Sequence, residues 1–216
     1  MGGGASKKLP DERMLTLQYL VALREGDIEQ IKTRLDSGVA VDDQISGGVT
    51  ACFVVCEEGQ DAALRLLCER GANVNLADED GATPSFAASK MGHADVVRTL
   101  SEFGANLNTP NDLGETPCWA AAEAGNDRVL RALFTLGADR NTAAKDGTTP
   151  LQMASTRNHK IIVEIFEEAE RRKNAEAKEA NDAADWDNET AEGCDFSETS
   201  NTDGTVILYM QPAAAQ

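Results

Sequence analysis

The stretch "GATPSFAASKMGHADVVRTLSEFGANLN", from Gly81 to Asn108, decides how the rest of the chain is read. Alone, it offers Thr83, Ser85, Ser89 and His93 close to glycines, residue types that also occur in catalytic loops. Beside its neighbours it is one copy of a repeat. Gly81 recurs as Gly48, Gly114 and Gly147 on a 33-residue step, and Thr83 recurs as Thr50, Thr116 and Thr149. Pro84 recurs as Pro117 and Pro150, with Ala51 in the earlier slot. Gly92 recurs as Gly26, Gly59 and Gly125, with Asn158 in the last slot. Gly71, Gly104 and Gly137 form a third series, which Gly38 extends backward. A period held in this way signals stacked units that bury their apolar faces on one another.

Each copy carries the same local instructions. The threonine is placed to cap a helix, its hydroxyl accepting an orphan backbone N–H, and proline follows at the first helical position, where no N–H is needed. Small residues come next, in "FAAS", "WAAA" and "LQMAS", and make a short helix that packs closely. A glycine turns the chain, because it tolerates positive φ. A second helix follows with apolar spacing, as in Val96, Val97 and Leu100, and it ends at Gly104. The segment "ANLNTPNDLG" then forms a hairpin-like link to the next copy.

This pattern resembles the ankyrin repeat, G-x-T-P-L-H-x-A-A-x-x-G-H followed by a second helix and G-A-x-x-N. The opening stretch matches it best, followed by "GETPCWAAAEAGNDRVLRALFTLGADRN" and "GTTPLQMASTRNHKIIVEIF". "GVTACFVVCEEGQDAALRLLCERGANVN" lacks the proline, and "LQYLVALREGDIEQIKTRLDSGVAVDD" keeps only the helix pair, as a terminal capping repeat would. The resemblance implies an all-α repeat solenoid of about five stacked helix-turn-helix units, the first degenerate, over residues 13–172. His93 falls in the slot of Gln60, Asn126 and His159, so it is read as structural and no catalytic residue is expected.

The family's Leu-His pair after Thr-Pro is missing. Its first slot holds Cys52, Ser85, Cys118 and Leu151; its second holds Phe53, Phe86, Trp119 and Gln152. Three aromatics at one slot either pack between repeats or form a partly exposed strip that binds a ligand. The five cysteines, Cys52, Cys56, Cys68, Cys118 and Cys194, show neither disulfide-like nor zinc-like spacing and read as small buried hydrophobes in a reducing cytosol. No metal and no cofactor are expected. The net charge of −17 argues against nucleic acid, which needs basic clusters. No stretch reaches the ~20 apolar residues of a membrane span.

The last copy lacks its closing glycine, since one period after Gly137 stands Glu170. With Glu167–Arg171 and Glu168–Arg172 spaced i,i+4, the helix is expected to run on over residues 173–184. Residues 185–216, acidic and rich in Ser, Thr, Asn and Gly, are expected to be disordered, apart from the apolar run "TVILYM" from Thr205 to Met210. That run either packs on the chain's own repeats, adds a strand to a partner or acts as a short linear motif.

At the other end, residues 1–12 read as a flexible leader. "MGGGAS" fits the N-myristoylation pattern, with Gly2 as acceptor and Ser6 in the preferred slot, and Lys7 and Lys8 follow. One myristate gives only marginal binding, with K on the order of 10⁴ M⁻¹, so any anchoring should be reversible.

The resemblance also implies where a partner protein sits: on the hairpin tips and the exposed ends of the first helices. The helix slots are Arg24 and Glu25, Glu57 and Glu58, Lys90 and Met91, Glu123 and Ala124, and Thr156 and Arg157. The tip slots are Glu79, Asp80 and Ala82, then Asp112, Leu113 and Glu115, then Lys145, Asp146 and Thr148. Met91, Ala124 and Leu113 are expected to form an apolar centre with charges as its rim. The expected function is a non-catalytic, monomeric adaptor or scaffold in the cytoplasm, tethered weakly to the cytoplasmic face of a membrane. The alternative is a soluble inhibitor or regulatory subunit acting through the repeat face and the acidic tail. No phosphate loop, zinc signature or nucleophile–base pair supports an enzyme.

Overall fold

The computed structural model describes residues 12–192, 194–200 and 206–212. They fall into two compact units that divide between Phe166 and Glu167. The expected leader, with Gly2, lies outside the described residues except for Glu12.

The first unit is the repeat stack. Its first-of-pair helices are α1 (Glu12–Glu25), α3 (Ala51–Glu57), α5 (Pro84–Met91), α7 (Pro117–Ala124) and α9 (Pro150–Thr156). Their partners are α2 (Ile28–Asp36), α4 (Asp61–Glu69), α6 (Ala94–Glu102), α8 (Asp127–Thr135) and the start of α10 (Lys160–Glu192). The caps are those the sequence encodes. Thr50, Thr83, Thr116 and Thr149 accept from the backbone N–H of Phe53, Phe86, Trp119 and Gln152 at 3.3–3.4 Å. Gly92 and Gly125 close α5 and α7 at φ 91° and 78°. Asn158 takes the same turn at φ 61°, a conformation that costs any residue with a Cβ.

Residues 51–56, 84–89 and 117–122 are buried without a break. Alanine, serine and cysteine there let the first helices lie close together. The second helices add Leu64 and Leu67, Val97 and Leu100, Leu130 and Leu133, and one core runs from Tyr19 to Phe166. The first repeat departs from this pattern. Arg34 occupies the slot of Leu67, Leu100 and Leu133, and its guanidinium lies 5.9 Å from the centre of the Tyr19 ring. The Tyr19 hydroxyl and Arg34 Nε are buried without a hydrogen-bond partner among the described residues, and burial pushes the Tyr19 hydroxyl up to about 12.

Hydrogen bonds between repeats run in three series. At the hairpin tips, Glu79 N–H donates to Gly47 O (3.0 Å), Asp112 to Asp80 O (2.9 Å) and Lys145 to Leu113 O (2.8 Å). In the loops after the second helices, Asn73, Asn106 and Asp139 N–H donate to the side chains of Asp42, Asn75 and Asn108 at 2.8–3.0 Å. At the ends of the first helices, Gln60 donates to Arg24 O, His93 Nε2–H to Glu57 O, Asn126 to Ser89 O and Lys90 O, and His159 Nε2–H to Glu123 O, at 2.9–3.0 Å. His93 therefore fastens one repeat to the one before it, as its place on the grid implies.

The second unit holds the rest of α10 and a two-stranded antiparallel sheet, β1 (Cys194–Ser200) with β2 (Val206–Pro212). Its register pairs Ser200 with Val206 and Cys194 with Pro212. Two expectations are corrected here. The helix does not close near Ala184 but continues to Glu192, because no glycine or proline interrupts the chain before Gly193. The tail after Asp185 is not structureless: its described residues are helix and then hairpin. The apolar residues 206–210 are the core of β2, paired with the run before the Asp203-Gly204 turn signal. Thr205 lies outside the described residues. The Arg171–Glu167 and Arg172–Glu168 pairs form at 3.6 and 2.6 Å.

Candidate protein-binding face

The sequence-derived site residues fall into two rows. One is the line of first-helix ends: Glu57 and Glu58, Lys90 and Met91, Glu123 and Ala124, Thr156 and Arg157. The side-chain series of Gln60, His93, Asn126 and His159 ties these ends together from beneath. Ion pairs tie the flanks, Arg24 to Glu58 at 3.4 Å and Arg157 to Glu123 at 2.6 Å. Between these pairs stand Lys90, Met91 (54% exposed) and Ala124. The centre of the row is thus apolar, with one cation, and its edges carry the two ion pairs together with the acids Glu25 and Glu57.

The second row is the hairpin tips, where Glu79, Asp80, Asp112, Leu113, Lys145 and Asp146 are exposed. Glu115 is not free in this way. Its carboxylate accepts from Asn111 Nδ2 at 2.8 Å, so it holds its own loop. Ala82 is buried and Thr148 half-buried, with the Thr148 N–H donating to Asp146 at 2.8 Å. Thr148 holds the Asp146 carboxyl below its ordinary range, first through its hydroxyl and then through its N–H.

The rows do not merge. Leu113 precedes α7 and Ala124 ends it, so the length of an eight-residue helix, about 12 Å, lies between them. The apolar centre expected from Met91, Ala124 and Leu113 therefore reduces to Met91 and Ala124, with Leu113 in the tip row. Of the two readings of the three aromatics, packing between repeats is the one that holds. Phe53, Phe86 and Trp119 are all buried, and Phe53 and Phe86 share an apolar cluster with Ala82, Ala87 and Ala120. These rings are packing, and Trp119 Nε1 has no hydrogen-bond partner among the described residues.

Three of the thiols are chemically quiet. Burial pushes Cys68 and Cys118 up to about 12 and Cys56 well above its ordinary value, which keeps them protonated and poor as nucleophiles or ligands. No group of three or more metal-ligating side chains occurs among the described residues. No helix among them is long and apolar enough to cross a membrane.

Sequence reasoning missed the ion pairs between repeats. Arg24 and Glu58, Asp36 and Arg70, and Glu123 and Arg157 each lie 34 residues apart, one more than the period. Opposite charges at that offset were the available signal. Arg65 also crosses to the next repeat, reaching Glu102 (2.9 Å) and Thr99 Oγ1 (2.7 Å) while pairing with Asp61 of its own helix (3.1 Å).

A family model described as ankyrin repeats (3 copies) matches residues 19–111 and 103–177, well over half of the chain. The chain belongs to the ankyrin-repeat family. Ankyrin repeats generally mediate protein–protein interactions. No curated protein sequence matches the chain.

Proposed function

We propose that this ankyrin-repeat chain is a non-catalytic, monomeric adaptor that binds another protein through the row of first-helix ends. The observation that carries the reading is the composition of that row: exposed Met91 and Ala124 with Lys90, between the neutralised Arg24–Glu58 and Glu123–Arg157 pairs. Charge pairing at the flanks lowers the desolvation cost of docking, and the unpaired apolar centre supplies surface to bury. The tip row is a secondary contact. Its exposed carboxylates Glu79, Asp80, Asp112 and Asp146 against the single Lys145 suit a partner with a basic rim.

The same reading places the adaptor in the cytoplasm, held reversibly at a membrane through N-myristoylation of Gly2, whose sequence context fits the acceptor pattern. Capture from native lysate with the wild-type chain and a Lys90→Glu, Met91→Glu variant tests the binding face. The expected result is a partner, identified by mass spectrometry, that the folded variant loses. An unchanged set of partners overturns the assignment of this row.

A further inference from the structure

Helix α1 carries an apolar face that no described residue covers. Leu17 and Val21, four residues apart and so on one side of the helix, are 63% and 51% exposed. The opposite side of α1 packs on α2 and α3 through the buried Tyr19, Ala22 and Leu23. The repeat grid explains the exposure. Val21 stands one, two and three periods before Val54, Ala87 and Ala120, all buried inside the stack. Leu17 stands one, two and three periods before Thr50, Thr83 and Thr116, which are buried caps. A terminal repeat would be expected to make both slots polar, and here both are aliphatic.

We propose that this face is a membrane contact that completes the anchor begun by an acyl chain on Gly2, its occupant being the apolar surface of a lipid bilayer. The inference rests on the acylation reading above. Gly2, Lys7 and Lys8 lie directly before α1, and the ten residues from Gly2 to Asp11 span at most ~35 Å even when fully extended. An acyl chain on Gly2 therefore holds α1 within that reach of the bilayer. A single acyl chain binds marginally, and stable anchoring takes a second signal. The exposed parts of Leu17 and Val21 together amount to about one aliphatic side chain, which on burial strengthens partitioning on the order of tenfold.

The charges on this end favour an apolar contact over an ionic one. Arg24 is already paired with Glu58, and Glu25 and Glu29 are exposed acids. Neutral lipid should therefore serve nearly as well as anionic lipid, apart from the contribution of Lys7 and Lys8.

Flotation with phosphatidylcholine vesicles, with and without phosphatidylserine, tests this on the full chain, acylated enzymatically at Gly2 or left unacylated. The acylated wild type should partition more strongly than acylated Leu17→Ser, Val21→Ser by about tenfold, with equal thermal unfolding midpoints. A Leu17→Ser single variant guards against misfolding, and Leu136→Ser, on an exposed leucine far along the chain, should partition as wild type. If acylation adds nothing to partitioning, the anchor reading fails. If acylation adds binding but the α1 variants keep all of it, the anchor stands and this inference is overturned. If the same substitutions abolish a concentration-dependent dimer and leave lipid binding alone, the face joins two copies and the inference is again overturned.

Discussion

Helices α7 and α9 begin with the same Thr-Pro cap, yet residues 117–122 of α7 are buried throughout while α9 buries only Pro150 and Ala154. Polarity does not explain the difference. Leu151 is 38% exposed in α9, whereas Ser85, two periods earlier in the same slot, is 1% exposed. Position explains it. Helix α7 packs on α5 and α9, and α9 has a first-helix neighbour on one side only. The α1 end shows the same effect, with Val21 uncovered where Val54 is buried. In a stack of this kind burial belongs to the interface between units, so terminal units draw less stability from similar residues.

The sharpest way to break this comparison is to truncate a leucine in each place. Leu130→Ala, in the fully buried interior of α8, should cost about 2–5 kcal/mol in urea unfolding. Leu151→Ala should cost under about 1 kcal/mol. Equal losses would mean that α9 is as well covered as α7. Next in size are the caps. Thr83→Ala should cost about 1–2 kcal/mol, because a buried hydroxyl serving Phe86 N–H is lost. Thr149→Ala, half-buried and near the end, should cost less, as read from the same unfolding curves.

Asn158 offers a gain. Replacing it with glycine relieves a left-handed turn and should raise stability by up to about 1 kcal/mol. The same φ at Gly125, already a glycine, leaves nothing to relieve. A smaller effect concerns alkaline pH. The thiols of Cys68 and Cys118 are raised from 9.0 to about 12, so an unfolded chain releases these protons first. Their contribution is complete below pH 9 and falls as pH rises toward 12. Cys118→Ala should flatten that fall in unfolding curves taken across this window.

The residues that made the stack legible act locally. Threonine followed by proline dictates a helix start, and glycine at a fixed offset dictates a turn, whatever surrounds them. His93 could be assigned to the scaffold because it kept the same period as Gln60, Asn126 and His159. The two sets of slots were legible, but the gap between Leu113 and the Met91–Ala124 pair was not. Leu113 and Ala124 are close in sequence, but they stand at opposite ends of α7, and only the helix axis separates them. The charge pairs were hidden for a related reason: contacts between Arg24 and Glu58 or Glu123 and Arg157 depend on the offset between stacked units. The end of α10 and the hairpin were misjudged by weighing overall polarity above the absence of helix breakers and above the Asp203-Gly204 signal.

The central claim is that the row of first-helix ends receives the partner. A photo-crosslinking amino acid placed at Met91, and in a second protein at Leu136, tests it in a native extract with few assumptions. Both sites are exposed, so both report on whatever docks. The account predicts a discrete protein adduct from position 91 and none from position 136. An adduct at 136 with none at 91 would contradict it.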